Sequence, residues 1–217
     1  MKKILVYGDS NTWGHNPSAH NPKTGAFERY PEHVRWPSVM QDELGDEYKV
    51  IEEGYCGRTT VFEDPVAGGR NGYATIEPIF LTADPVDLVI VMLGTNDTKD
   101  MFGANATSIS AGMGRLIKTI KNLMAGSNSP DAKILLVNPA RLTRPEGGEF
   151  FYGFSQNSVD KCEPLRDAYK ALADMMGLEF FDADLYGKAD PLDGTHLTPE
   201  SHKALGIAMA QKVREIL

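Results

Sequence analysis

Cysteine is scarce in this chain, with two among 217 residues. Cys56 and Cys162 sit in different segments, and neither has metal-ligand spacing around it, so the sequence holds no disulfide framework and no cysteine-based zinc motif. Long apolar runs are also missing. Two lysines at the N-terminus precede only a short apolar run before Gly8 and Asp9, which is too brief for a secretory signal or a membrane span. A reduced, cytoplasmic protein with no membrane partner is expected. Basic residues are outnumbered, 22 Lys and Arg against 30 Asp and Glu, for a formal charge of −8. A reader of nucleic acid needs a dense cationic surface, so no nucleic-acid partner is expected. No repeat, low-complexity tract or linker divides residues 1–217, and one domain is predicted.

What is present is alternation. Short β-rich apolar runs end in Gly, Asn, Asp or Pro at Lys3–Tyr7, Tyr48–Glu52, Asp87–Leu93, Lys133–Asn138 and Leu178–Phe181. They read as buried parallel strands. Between them, helical spacing runs over Pro37–Leu44, Thr75–Leu81, Ser108–Met124, Cys162–Met176 and Pro199–Ile216, the last with Thr198 as N-cap and Pro199 in its first turn. Repeated β-α alternation predicts an α/β sheet covered on both faces. Two long connections interrupt the rhythm, His15–Arg35 and Pro139–Asp160. The second carries the aromatic cluster Phe150, Phe151, Tyr152 and Phe154, and long loops of this kind serve as lids, binding loops or contact surfaces.

Three signatures follow strands: GDSNTWG at Gly8–Gly14, GTND at Gly94–Asp97 and DGTHLT at Asp193–Thr198. Open α/β sheets bind ligands outside the carboxyl ends of their strands, so Ser10, Gly57, Asn96, Asp193 and His196 are predicted to meet at one edge. The residue types suit acyl transfer. A serine hydroxyl becomes a nucleophile when a neutral imidazole takes its proton, and the imidazole needs an acceptor on its other nitrogen. Asp193 and His196, three residues apart, can supply both, and an amide at Asn96 can receive a developing oxyanion. G-D-S-N-T lacks the second glycine of G-x-S-x-G, which disfavours the α/β-hydrolase nucleophile elbow.

The same motifs resemble the SGNH (GDSL) hydrolase superfamily. GDSNTWG, VRW at Val34–Trp36, EEGYCGRTT at Glu52–Thr60 and DLVIVMLGTNDTK at Asp87–Lys99 are similar to its bacterial arylesterase/acyltransferase branch, with the likeness weakest over Leu142–Asp160. The resemblance implies a flavodoxin-like three-layer α/β/α sandwich with a five-stranded parallel sheet. It implies Ser10 as nucleophile, Asp193 and His196 as its partners, and Ser10, Gly57 and Asn96 as oxyanion donors. It further implies no cofactor, a small short-chain acyl ester as substrate, water or an alcohol as acyl acceptor, and a homo-oligomer.

Each residue also has a plainer use. Ser10 can cap a helix, Asn96 and Asp97 can turn a chain, and Asp193-Gly194 is a common turn pair. Their joint placement favours a serine esterase, with a carbohydrate acetyl esterase as the alternative within the class and a non-catalytic binding module as the rival outside it. Trp13, Phe150 and Phe154 are predicted to line the substrate pocket, and Asp9 to fix the nucleophile loop. His15, His20, His33 and His202 show no pairing pattern and read as surface or loop polar residues. The Asp182, Asp184, Asp190, Asp193, His196 and His202 set matches no metal motif, so no metal is expected. Gly68, Gly69 and Gly72 precede no Lys-Ser/Thr and read as a turn. Cys56 reads as a small buried thiol rather than a nucleophile.

Overall fold

The computed structural model describes residues 1–217. In chain order the strands are β1 (Lys2–Gly8), β2 (His15–His20), β3 (Phe27–Arg29), β4 (Tyr48–Gly54), β5 (Leu88–Met92), β6 (Lys133–Asn138) and β7 (Glu179–Asp182). The helices are α1 (Ser10–Trp13), α2 (Trp36–Leu44), α3 (Gly72–Ala83), α4 (Ala106–Ala125), α5 (Gln156–Asp160), α6 (Cys162–Met176) and α7 (Pro199–Ile216). Five strands form one parallel sheet in the order β4-β1-β5-β6-β7. This is the flavodoxin-like order, in which β1 stands at the point where the winding reverses.

Alternation along each strand feeds two cores. Leu5 and Tyr7 of β1 and Val89 and Val91 of β5 face α3, α4 and α6 through Ile76, Phe80, Ile117, Leu165 and Tyr169. Ile4, Val6, Leu88 and Ile90 face the other way, onto Trp36 and Met40 of α2 and Leu205, Met209 and Val213 of α7. Strands buried on both faces are what the near-continuous apolar runs require. No helix is long and apolar enough to cross a membrane.

Two connections carry more structure than the sequence analysis assigned. Within His15–Arg35, β2 and β3 pair antiparallel, His15 opposite Arg29 and His20 opposite Phe27, as a ribbon separate from the main sheet. Pro17 and Asn16 mask the strand signal there. α3 starts at Gly72, ahead of the predicted Thr75, because the Asn71 side chain accepts from Ala74 N and caps it. Thr198 caps α7 as expected, accepting from Ser201 N.

Candidate active site

Ser10 is the first residue of α1, a single turn that leaves the carboxyl end of β1. The Asp9 carboxylate accepts from Asn11 N at 3.0 Å and caps this turn, as the reading of Asp9 anticipated. Gly14, in the left-handed conformation with φ of 87°, closes it by donating to Ser10 O. The turn lies tight against the end of β4: a Cβ on Gly54 would stand 2.2 Å from Trp13 N. Only glycine permits that approach.

The DGTHLT segment brings Asp193 and His196 to this turn. His196 Nε2 lies 2.9 Å from Ser10 Oγ, and His196 Nδ1 lies 2.5 Å from Asp193 Oδ2. Asp193 Oδ1 accepts from Thr195 N at 2.9 Å and His196 N at 3.0 Å, so the carboxylate is fixed by its own loop. Burial disfavours the Asp193 charge, but the hydrogen bonds and charge of His196, with the two backbone donors, hold its pKa below the ordinary carboxylate value. An ionised acceptor on Nδ1 leaves Nε2 free to take the Ser10 proton.

Asn11, which the sequence reading passed over, joins the two loops. Its Nδ2 donates to Thr195 O at 3.3 Å and its Oδ1 accepts from Leu197 N at 2.9 Å, gripping the backbone on both sides of His196. Every atom of this link is buried. Its only sequence signal is its place next to Ser10.

Gly57 and Asn96 complete the edge. Gly57 has φ of 81°, a conformation that favours glycine. Neither its N–H nor that of Ser10 donates to a backbone acceptor. Asn96 Nδ2 donates one hydrogen to Arg58 O at 3.2 Å and keeps the other free. Asp97 accepts from Thr60 N at 2.9 Å and Thr60 Oγ1 at 2.5 Å, while Arg58 Nη1 donates to Gly8 O at 2.8 Å. These bonds tie the Gly57 loop to the ends of both β1 and β5. Burial pushes the Asp97 pKa up to about 6 despite the Thr60 hydrogen bonds.

Ser10, Gly57, Asn96 and His196 border one cavity of about 500 Å³. Among the predicted pocket residues, Phe154 borders it and is buried. Phe150 and Trp13 do not. Phe151, one position on, borders the cavity in place of Phe150, together with Tyr152 from the same bend. Trp13 is half-buried on the hairpin side, under the guanidinium of Arg29, 5.6 Å from its ring.

Two histidines read as surface or loop residues are buried instead. His15 stacks on His196, with ring centroids 3.8 Å apart, and burial plus the neighbouring His196 lowers its pKa to about 3. His202 has no exposed surface. Its Nδ1 accepts from Trp36 N at 3.2 Å, and burial lowers its pKa to about 3 as well. A lone histidine in a polar-looking stretch gives no sequence signal of burial. Burial also pushes the Cys56 thiol up to about 11, which keeps this cavity neighbour protonated and a poor nucleophile.

His15, Asp193 and His196 have ligand-type atoms within 4.8 Å of one another. Both ring nitrogens of His196 are already committed to Ser10 and Asp193, so this grouping is the hydrogen-bonded chain itself with one ring stacked on it.

A family model described as GDSL-like Lipase/Acylhydrolase matches residues 6–204. The structure superposes on that of the native M. smegmatis aryl esterase with a TM-score of 0.90, at 37% identity and with both chains wholly covered. A carbohydrate acetylesterase from Sinorhizobium meliloti is similar to the same degree, with a TM-score of 0.89, 37% identity and full coverage of both chains. No curated protein sequence matches the chain.

Proposed function

The chain belongs to the GDSL-like lipase/acylhydrolase family and is a carboxylic ester hydrolase, and from that premise we propose that it cleaves small short-chain acyl esters through an acyl-enzyme on Ser10. The observation that carries this is the unbroken chain Asp193–His196–Ser10, with bonds of 2.5 and 2.9 Å. Ser10 Oγ attacks the ester carbonyl while its proton passes to His196 Nε2, and Asp193 balances the imidazolium. The oxygen that gains charge is received by the N–H groups of Ser10 and Gly57 and the free Asn96 amide hydrogen. One such donor is worth about 3–4 kcal/mol in the transition state. His196 then protonates the departing alkoxide, and water or an alcohol, deprotonated by the same imidazole, releases the acyl group.

Aromatic side chains favour aryl and alkyl alcohols as the leaving group. Phe27 and Phe151 border the cavity, and the Phe151 ring meets His196 edge-on at 5.3 Å. The similarity to a carbohydrate acetylesterase supports acetylated sugars as a second substrate class for the same chemistry. A non-catalytic binding role is disfavoured, since a pocket that only holds its ligand has no need of an ordered base on a buried serine.

A fluorophosphonate probe tests the proposal. Wild-type protein is expected to be labelled rapidly at Ser10, and the Ser10→Ala protein is expected to stay unlabelled and to lose ester hydrolysis by several orders of magnitude. Equal labelling of both proteins, or of neither, overturns it.

A further inference from the structure

Two cations border the cavity without a counter-ion of their own. Lys99 is 4% exposed and follows Asn96 by three residues. Its ammonium group faces the rings of Tyr152 and Phe154, at 5.1 and 5.0 Å, and takes no hydrogen bond or ion pair. Arg70 stands against Gly57, where a Cβ would come within 2.6 Å of Arg70 Nη1. Its Nε is buried with no acceptor, and its guanidinium lies 4.9 Å from the Tyr55 ring. Burial lowers the Lys99 pKa; the charge of Asp64 opposes this, and the nearby charge of Arg70 adds to the lowering. Asp64 is the one carboxylate on the cavity wall. It spends an oxygen on Val66 N and Ala67 N, at 2.8 and 3.0 Å, and pairs with neither cation. His15 and Cys56 are neutral, so the wall carries a net positive charge.

Burying the Lys99 ammonium without a partner is costly, as is the orphaned Nε of the half-buried Arg70, and such groups persist where a ligand completes them. Their position says which part of the ligand. The leaving oxygen must face His196, so its substituent lies among His15, Phe27 and Phe151. The carbonyl oxygen faces Ser10 N, Gly57 N and Asn96. The remaining substituent, the acyl chain, is directed away from Phe27 and Phe151 and toward the part of the wall that carries Lys99 and Arg70.

Building on the esterase reading, we propose that the acyl chain of the preferred substrate ends in a carboxylate held by Lys99 and Arg70, so that the substrate class is the monoester of a short dicarboxylic acid. The bond changes are those of any serine esterase. The Ser10 Oγ–acyl bond forms, the acyl–alkoxy bond breaks, and the Ser10 proton leaves on the alcohol by way of His196. Water then returns Ser10 and frees the dicarboxylic acid, with the distal carboxylate unchanged throughout.

The test compares chain-matched pairs of benzyl esters: monobenzyl succinate against benzyl butyrate, and monobenzyl glutarate against benzyl valerate. The readout is the ratio of kcat/KM within each pair, which cancels changes in the amount of active enzyme. In wild-type protein the ratio is expected to favour the monoesters by about tenfold or more, as charge-assisted hydrogen bonds to one carboxylate allow. Lys99→Met and Arg70→Gln should each pull it toward one, and the double variant should reverse it. A wild-type ratio of one or less overturns the proposal, as does a high ratio that survives both substitutions. Failure to cleave any of the four esters would instead overturn the esterase reading beneath it. If either variant fails to fold, the wild-type ratio still decides, and added salt should lower it by screening the pair.

Discussion

His15 lies on His196 nearly face to face, ring centroids 3.8 Å apart and planes 24° from parallel. The same His15 ring meets Phe27 at 4.5 Å, so the proposed base is backed by an aromatic layer. Burial and the neighbouring His196 lower the His15 pKa to about 3, so at neutral pH His15 adds no second positive charge to oppose protonation of His196. Its contribution is therefore that of a flat ring. His15→Phe should keep kcat on a chromogenic acetate within a few-fold of wild type, while His15→Ala, which lets the imidazole tilt and wets it, should lower kcat about tenfold. A His15→Phe protein as inactive as Ser10→Ala would mean that a His15 nitrogen takes part in the reaction.

Asn96 has one amide hydrogen spent on Arg58 O and one free. A donor aimed at an oxygen that is charged only in the transition state acts on kcat and leaves substrate affinity alone. Asn96→Ala should lower kcat about a hundredfold or more with little change in KM. An effect confined to KM would make the amide a substrate-positioning group.

Asn11 touches no reacting atom, so its role is to position His196 through Thr195 O and Leu197 N. Removing the side chain orphans a buried N–H and a buried carbonyl, at a cost of about 1–3 kcal/mol. Asn11→Ala is expected to lose about that much stability in denaturant melts and to lose kcat with KM nearly unchanged. Asn11→Asp keeps an acceptor for Leu197 N and should recover part of the stability. If Asn11→Ala lost stability but kept full kcat, the link would be structural only.

The sheet was legible because doubly buried strands are written as unbroken apolar runs, and β1, β4, β5, β6 and β7 all fall within or beside theirs. The proposed active-site residues were legible because Ser10, Asn96 and His196 stand just past strand ends in short polar motifs. What escaped has two causes. The β2-β3 ribbon is a local hairpin hidden by Asn16 and Pro17, while the stacked ring of His15 and the buried ring of His202 depend on contacts with other segments. Each histidine has a polar neighbourhood in sequence, while its burial is decided by Phe27 and Phe151 for His15 and by Tyr30 and Trp36 for His202. The exchange of Phe150 for Phe151 at the cavity is a one-residue shift of facing that composition cannot resolve.

The buried histidines also set a pH dependence of folding. The folded-state pKa of His202 is about 3, against about 6.5 in an unfolded chain. Between these values the unfolded state binds a proton that the folded state refuses. Stability is therefore fully present above about pH 6.5 and is lost as pH falls toward 3, by about 1.4 kcal/mol per pH unit within that window. Asp97, raised to about 6, and Asp9, also raised, work in the opposite sense, because their folded forms bind protons more readily than the unfolded chain. The overall acid response thus blends the two, and the difference between proteins is the clean measurement. His202→Gln, which can keep an acceptor for Trp36 N, should lose less stability than wild type between pH 6.5 and 4.5 in parallel melts. Parallel stability curves would show that His202 takes up a proton within the fold.

In the proposed mechanism, the fate of the acyl-enzyme is set by the same aromatic side of the cavity. By microscopic reversibility an attacking alcohol occupies the place the leaving alcohol vacated, against His15, Phe27 and Phe151, and shares its proton with His196. Apolar contact there stabilises an alcohol in the transition state and gives nothing to water. A difference of about 1.4 kcal/mol between the two barriers shifts partitioning tenfold. Two features limit the advantage: His15 leaves a buried Nε2 without a partner, which attracts water, and Phe27 is 45% exposed. Transfer from vinyl acetate to benzyl alcohol in water should accordingly be measurable while hydrolysis remains the main course. Phe151→Ala should lower the ratio of benzyl acetate to acetate several-fold with a smaller effect on total turnover. Acetate without detectable benzyl acetate, at an alcohol level that leaves the enzyme active, would mark a plain hydrolase, and an unchanged ratio in Phe151→Ala would show that the alcohol approaches from another side.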